Sequence, residues 1–345
     1  MANWVHLPQE LLERISDFCI TPDQIRMQYV CKSWRSILKN IIHPELPWLM
    51  MLPNNEEDPD SRVFYSLSKK KIHAISLPEI RGKRCCGSFQ NGWLVTVDEK
   101  LDISLFHPWS RKTVNLPNQS TFAEENYRVG LGPMEEIRDK HIRKVALSDD
   151  GSVVVFIYGI GYLGYCRIGD DASTDIDVNS TMEDVIFHKG QFYSLTKRGA
   201  ICLIHIEDEL YPHGVKLTSG IFLSYEHYGY LVPDILTDRM FVITREVEEL
   251  HKYPPQKTMH FDIFGVNLED GAHNRELKKL TKVESLGDRA LFLGCNSPIV
   301  VLASQFPGLK GNHIYFTDNM VERHYGSPYG CCDSDMQVME LVLKR

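Results

Sequence analysis

Gly159, Gly161 and Gly164 follow an apolar run with the spacing GxGxxG, a pattern that lets a turn approach a pyrophosphate in dinucleotide-binding units. The context argues against that chemistry. Tyr165 to Ile168 and then Gly169, Asp170 and Asp171 come next, not the helix whose N-terminus must face the phosphates, so a glycine-rich hairpin is expected. Asp175, Asp177 and Asn179 alternate like calcium ligands, but Ser180 stands where the sharp turn needs glycine and Ile186 where a bidentate carboxylate is required. Cys85 with Cys86, and Cys331 with Cys332, are adjacent pairs without the two-residue gap that lets two thiolates share a zinc tetrahedron. A four-thiolate site would need the two pairs to meet in space. Among fourteen histidines there is no HExxH, and the chain has no GxSxG elbow and no P-loop. No catalytic residue, metal or cofactor is expected from these motifs.

A formal charge of −8 makes nucleic acid and anionic membrane poor partners. The small basic clusters, Lys69 to Lys71 and then Arg81, Lys83 and Arg84, read as solvated loops. Nine cysteines is an odd number for a secreted disulfide framework, and Met1 runs into an amphipathic helix without a leader pattern, so a reducing compartment, nucleus or cytoplasm, is expected. The apolar stretch Ser152 to Cys166 falls short of the roughly 18 residues of a membrane span. The sequons at Asn118 and Asn179 then read as chance.

The elements change character after about residue 43. Pro8, Gln9 and Glu10 suit a helix start, and Leu11, Leu12, Ile15, Phe18 and Cys19 recur at helical spacing. Thr21, Pro22, Asp23 and Gln24 form a second start signal. The apolar positions Ile25, Tyr29, Val30, Trp34, Ile37, Leu38 and Ile41 carry that helix to about His43, with a break possible inside it. So short a segment cannot bury all this apolar surface internally, which points to a partner or to the following domain.

From Trp48 onward short apolar runs are bounded by Gly, Pro, Asn and Asp, and read as strands with scarce helix between them. Gly87 to Pro117 and Phe187 to Ile206 share one plan of glycine, aromatic-rich strand, charged turn and apolar strand. At roughly 40 to 45 residues per blade, this predicts a β-propeller of six or seven blades, with seven favoured. Ring closure predicts that the last strand, Val338 to Leu343, pairs near Trp48 to Leu67. Trp93 and Trp109 are read as core, with exposed anchoring as the alternative.

"LPQELLERI", Leu7 to Ile15, and "VCKSWRS", Val30 to Ser36, together resemble the F-box motif. Residues 44–345 resemble the β-propeller of the plant KIB-type F-box proteins, through "KRCCGSFQNGWLVTVD" at Lys83, "LFHPWSRKTVNLP" at Leu105, "SLGDRALFLG" at Ser285 and "FPGLKGNHIYFTDN" at Phe306. Tyr325 to Asp335 departs from that pattern, which bears on how the ring closes. The resemblance implies an F-box over residues 1–43 that binds a Skp-type adaptor, and through it cullin and RING subunits, while the propeller holds a protein for ubiquitination. The residues expected in or beneath the adaptor contact are Leu7, Pro8, Leu11, Leu12, Ile15, Ile25, Val30, Cys31 and Trp34. The chain would then be a non-catalytic substrate receptor of an SCF-type ubiquitin ligase. The alternatives are an F-box scaffold outside a ligase, and a propeller that binds a small ligand or is an enzyme.

Overall fold

A computed structural model describes residues 4, 7–19, 21–38, 46–51, 58–89, 92–122, 138, 141–207, 211–221, 227–234, 236–237, 239–249, 256–267, 278–317 and 337–340. The chain divides into two compact units, residues 1–81 with 106–113, and residues 82–105 with 114–345.

The first unit begins with three helices, α1 (Gln9–Phe18), α2 (Thr21–Gln28) and α3 (Lys32–Leu38). Pro8 caps α1 with φ −55°, which its ring imposes, and Glu10 faces the positive end of the dipole. The expected single second helix is interrupted at Tyr29 to Cys31. Turn bonds from Tyr29 N–H to the Arg26 carbonyl and from Val30 N–H to the Met27 carbonyl end α2. The Cys31 thiol then accepts the Trp34 N–H at 3.4 Å, a side-chain cap for α3. The unit continues with the antiparallel strands β1 (Trp48–Met50), β2 (Ser61–Ser66) and β3 (Lys71–Ser76), in that order.

The second unit carries five four-stranded sheets, so the described residues form six sheets, the lower of the two expected blade numbers. They comprise β4 (Arg84–Ser88), β5 (Leu94–Val97), β6 (Ile103–His107) and β7 (Lys112–Asn115); β8 (Ile142–Leu147), β9 (Val153–Tyr158), β10 (Tyr162–Arg167) and β11 (Thr174–Ile176); and β12 (Met182–His188), β13 (Gln191–Thr196), β14 (Ile201–His205) and β15 (His213–Lys216). Next come β16 (His227–Pro233), β17 (Arg239–Glu249), β18 (Gln256–Asn267) and β19 (Thr281–Lys282), and finally β20 (Arg289–Leu293), β21 (Ile299–Leu302), β22 (His313–Phe316) and β23 (Gln337–Glu340).

Consecutive sheets pack face to face, and strand β9 shows why. Val154, Phe156 and Tyr158 enter the core shared with β4–β6, while Val153, Val155 and Ile157 enter the core shared with β12–β14. The same alternation divides β17, with Phe241 and Ile243 toward β20 and β22, and Met240 and Val242 toward β12–β14. The first strands of successive sheets, β4, β8, β12 and β16, are neighbours. This is the β-propeller expected from the strand pattern.

The closure expectation is corrected. Among the described residues, strand β23 pairs antiparallel with β22, through His313 opposite Glu340 and Phe316 opposite Gln337, and not with residues near Trp48 to Leu67. The final sheet has the order β21-β20-β22-β23, because β22 runs parallel to β20 and leaves an edge that β23 covers. Tyr325 to Asp335, with Cys331 and Cys332, falls entirely outside the described residues.

Candidate functional site

The helix cluster sorts its apolar residues into two sets. Leu12, Met27 and Leu38 form its buried core, with Leu7, Cys19, Trp34 and Ile37 packed against them. Gln24 Nε2 donates to the Ser16 carbonyl at 2.8 Å, and Trp34 Nε1 donates to the Trp4 carbonyl at 3.0 Å, so polar contacts pin the helices around this core. Arg35 lies over the Tyr29 ring at 5.1 Å.

The other set faces outward. Leu11 is 50% exposed, Ile15 39%, Phe18 85% and Val30 61%. Leu11, Ile15 and Phe18 stand four and three residues apart, so they share one face of α1, distinct from the face that buries Leu12 and Ser16. Pro8 is exposed at the start of that helix and Cys31 is half-buried. Of the nine residues expected at the adaptor contact, Pro8, Leu11, Ile15 and Val30 thus lie on the surface. Leu7, Cys31 and Trp34 are partly covered, and Leu12 lies in the core. The side chain of Ile25 is outside the described residues. Phe18 and Tyr29 are exposed beside this set, and were not among the expected contacts. Their signal was present, since Phe18 continues the Leu11 and Ile15 stripe at helical spacing.

The motifs with possible chemistry resolve into scaffold. Gly159 (φ +55°) and Gly161 (φ +126°) form the β9–β10 turn and Gly164 lies within β10, so the GxGxxG is the expected hairpin. A Cβ at Gly161 would stand 2.8 Å from the Met182 carbonyl oxygen, which requires glycine there. Asp175 accepts the Tyr158 hydroxyl at 2.6 Å. Cys86 is buried, which pushes its thiol up to about 11. Among the described residues, no group of three His, Cys, Asp or Glu side chains is placed to hold a metal, and no helix is long and apolar enough to cross a membrane. Trp93 packs against the β4–β9 core, whereas Trp109 is half-exposed with the Arg26 guanidinium 5.9 Å from its ring.

A buried ion pair links β8 to β12 in the second unit. Lys144 Nζ lies 3.1 Å from Asp184 Oδ1 and also donates to the Asn296 carbonyl at 2.8 Å and the Gly294 carbonyl at 3.4 Å. Asp184 in turn accepts the N–H groups of Val185 and Leu231, each at 2.8 Å. Four of the five sheets of that unit therefore meet in one polar network. Burial pushes the Asp184 carboxyl up, opposed by Lys144 and the Leu231 N–H. A second pair, Arg289 bidentate on Asp234 at 2.6 and 2.7 Å, ties β20 to the end of β16.

Two family models match the chain, an F-box domain over residues 4–43 and the KIB1-4 beta-propeller over residues 64–337. F-box protein At2g26160 of Arabidopsis thaliana is 26% identical over 349 residues, spanning 92% of this chain and 96% of that one. The F-box/kelch-repeat protein At1g57790 of the same plant is 26% identical over 203 residues, 58% of this chain and 55% of that one. Among solved structures, YCF48 bound to D1 peptide is similar at a TM-score of 0.37 and 10% identity, over 65% of this chain and 63% of that one. With an F-box at its N-terminus and the propeller model covering most of its length, the chain belongs to the family of plant F-box proteins that carry a KIB1-4 β-propeller.

Proposed function

We propose that the chain is the substrate-recognition subunit of an SCF-type ubiquitin ligase. Its helix cluster docks on a Skp-type adaptor, its propeller holds a target protein, and the chain itself carries out no catalysis. The observation that supports this reading most is the division of the helix cluster. Three side chains form its core, while Leu11, Ile15, Phe18 and Val30 present an apolar surface to solvent. Burying each such side chain is worth roughly 1.5 to 3 kcal/mol, so a few of them suffice for a stable adaptor contact. The ligase then works by proximity, since a target held on the propeller experiences a high local concentration of the charged conjugating enzyme. The reading places the protein in the nucleus or cytosol, and the described cysteines carry free thiols.

The test is adaptor affinity measured by calorimetry on the full chain. Leu11→Ser with Ile15→Ser is expected to weaken a purified Skp-type adaptor by about a hundredfold, with an unchanged melting temperature. Cullin should co-purify with the wild type and not with the variant. Equal adaptor binding by both would end the docking assignment. An adaptor complex without cullin would favour a scaffold outside the ligase.

A further inference from the structure

We propose that His205 and His213, with Asp177, form a binding site for a divalent transition-metal ion of the zinc and nickel group on the outer part of the sheet β12–β15. His205 ends β14 and stands directly opposite His213, which opens β15. Their ring centroids lie 5.1 Å apart at an interplanar angle of 26°. Two imidazoles bound to one ion at about 2.0 to 2.1 Å and a tetrahedral angle have ring centres about 5 Å apart, so the pair already has the separation of a chelate. His213 is exposed and His205 half-buried, so solvent reaches both. The tautomer of His213 is set for this role. Its Nδ1 lies 2.8 Å from the Tyr211 carbonyl oxygen, which can only accept, so Nδ1 carries the proton and the neutral ring has its lone pair on Nε2. A carbonyl behind one ring nitrogen is a common support of a metal-bound histidine, because it fixes the ring and raises the basicity of the other nitrogen.

Asp177 continues the row. It follows β11 and bridges to His213 in parallel, with its N–H donating to the Pro212 carbonyl and its carbonyl accepting the Gly214 N–H, each at 2.9 Å. Ile176 and Val178, on either side of it, turn into the core shared with β8–β11. Val178 lies over Gly214, where an added Cβ would stand 2.6 Å from its Cγ1. Side chains alternate along a strand, so Asp177, His213 and His205 share the opposite face. The three are not gathered about one point. The two histidines therefore take the ion first, and the exposed Asp177 side chain turns toward them to supply the third ligand. Two cations near the row belong to the other face: Lys216 stands opposite Cys202, and Arg167 reaches the Ile206 carbonyl at 3.2 Å from the sheet β8–β11. Glu207, exposed two residues after His205, adds negative charge nearby. Two imidazoles with one carboxylate suit zinc or nickel, whereas magnesium and calcium take oxygen ligands.

The experiment uses the full chain, stripped with a chelator and kept reduced, and titrated with nickel chloride or magnesium chloride in a calorimeter. Nickel is expected to bind, to raise the melting temperature, and to weaken as the pH falls, since imidazole ligands bind without protons. His205→Asn with His213→Asn should weaken nickel at least about tenfold and remove the thermal shift, and Asp177→Asn should weaken it less. Zinc chloride should displace the nickel from the wild type. His213→Asn alone changes an exposed residue of an outer strand, so it carries the test if the double variant fails to fold; in chelator it should melt as the wild type does. Equal nickel affinity in the wild type and the folded histidine variants would assign the ion to other histidines or to the cysteines and overturn the proposal. A wild type that binds no nickel, or that binds magnesium equally well, would overturn it too.

Discussion

The helix cluster and the second unit dispose of their apolar and polar groups in opposite ways. In the cluster, three apolar side chains form the buried core and several large apolar side chains face solvent. In the second unit each sheet is covered on its inner strands by its neighbours, and the interior also encloses charges, Lys144 with Asp184 and Arg289 with Asp234. The first arrangement leaves binding free energy to be gained from a partner, so the cluster's stability is linked to adaptor concentration. The second is saturated, with its buried charges paired and hydrogen-bonded across neighbouring sheets.

The largest expected effect tests the charged interior. Lys144→Met leaves Asp184 buried without its partner, and should cost about 3 to 5 kcal/mol in urea unfolding followed by the β signal. Lys144→Met combined with Asp184→Leu should recover most of that loss, because the cost lies in the uncompensated charge. A single variant within about 1 kcal/mol of wild type would show that the sheets need no polar staple, and the contrast between the regions would fall.

The cluster offers a sharper pair. Leu12→Ala removes one of three core side chains, a change of about 2 to 5 kcal/mol, more than so small a core can supply. Helical circular dichroism should fall while the sheet signal persists, and added adaptor should restore the helix by mass action. Phe18→Ser should do the reverse, leaving the helix intact and weakening the adaptor. If both variants behaved alike, the inner and outer faces of α1 would not be separate.

The same contrast explains what could be read from the sequence. Strands buried on both faces, such as Val153 to Tyr158 and Gln191 to Thr196, announce themselves as apolar runs. Five strands were not legible, and they are of two kinds. The outer strands β11, β15 and β19 are short, polar and largely exposed, so nothing apolar marks them. The inner strands β4 and β8 have their pattern broken by a bulge and by Arg84, Arg143 and Lys144. For the same reason only Val185 to Phe187 of β12 carries the apolar pattern of a strand, and its charged start does not. In the helix cluster, spacing identified the amphipathic residues but could not divide Leu11 from Leu12. That division depends on where α2 and α3 pack, a tertiary fact.

The smallest effect concerns two carboxylates of the second unit with opposite shifts. Burial raises the Glu183 carboxyl, with Arg143 and Lys197 opposing it, so the folded state prefers the protonated form. Its contribution to stability is greatest below the ordinary glutamate range and declines as pH rises through the raised folded value. At Asp262 burial acts in the same direction, but the Lys282 ammonium 2.7 Å away and the neighbouring His260 outweigh it, and the carboxyl is lowered. Its contribution is present above the ordinary aspartate range and is lost as pH falls through the lowered value. Urea midpoints from about pH 2 to about pH 7 should therefore show Glu183→Gln gaining on wild type as pH rises above about pH 4, and Asp262→Asn losing chiefly as pH rises from about pH 2 to about pH 4, each within about 1 kcal/mol. A Glu183→Gln protein less stable than wild type at neutral pH would show that the carboxylate's attraction to Arg143 and Lys197 outweighs the cost of burying it.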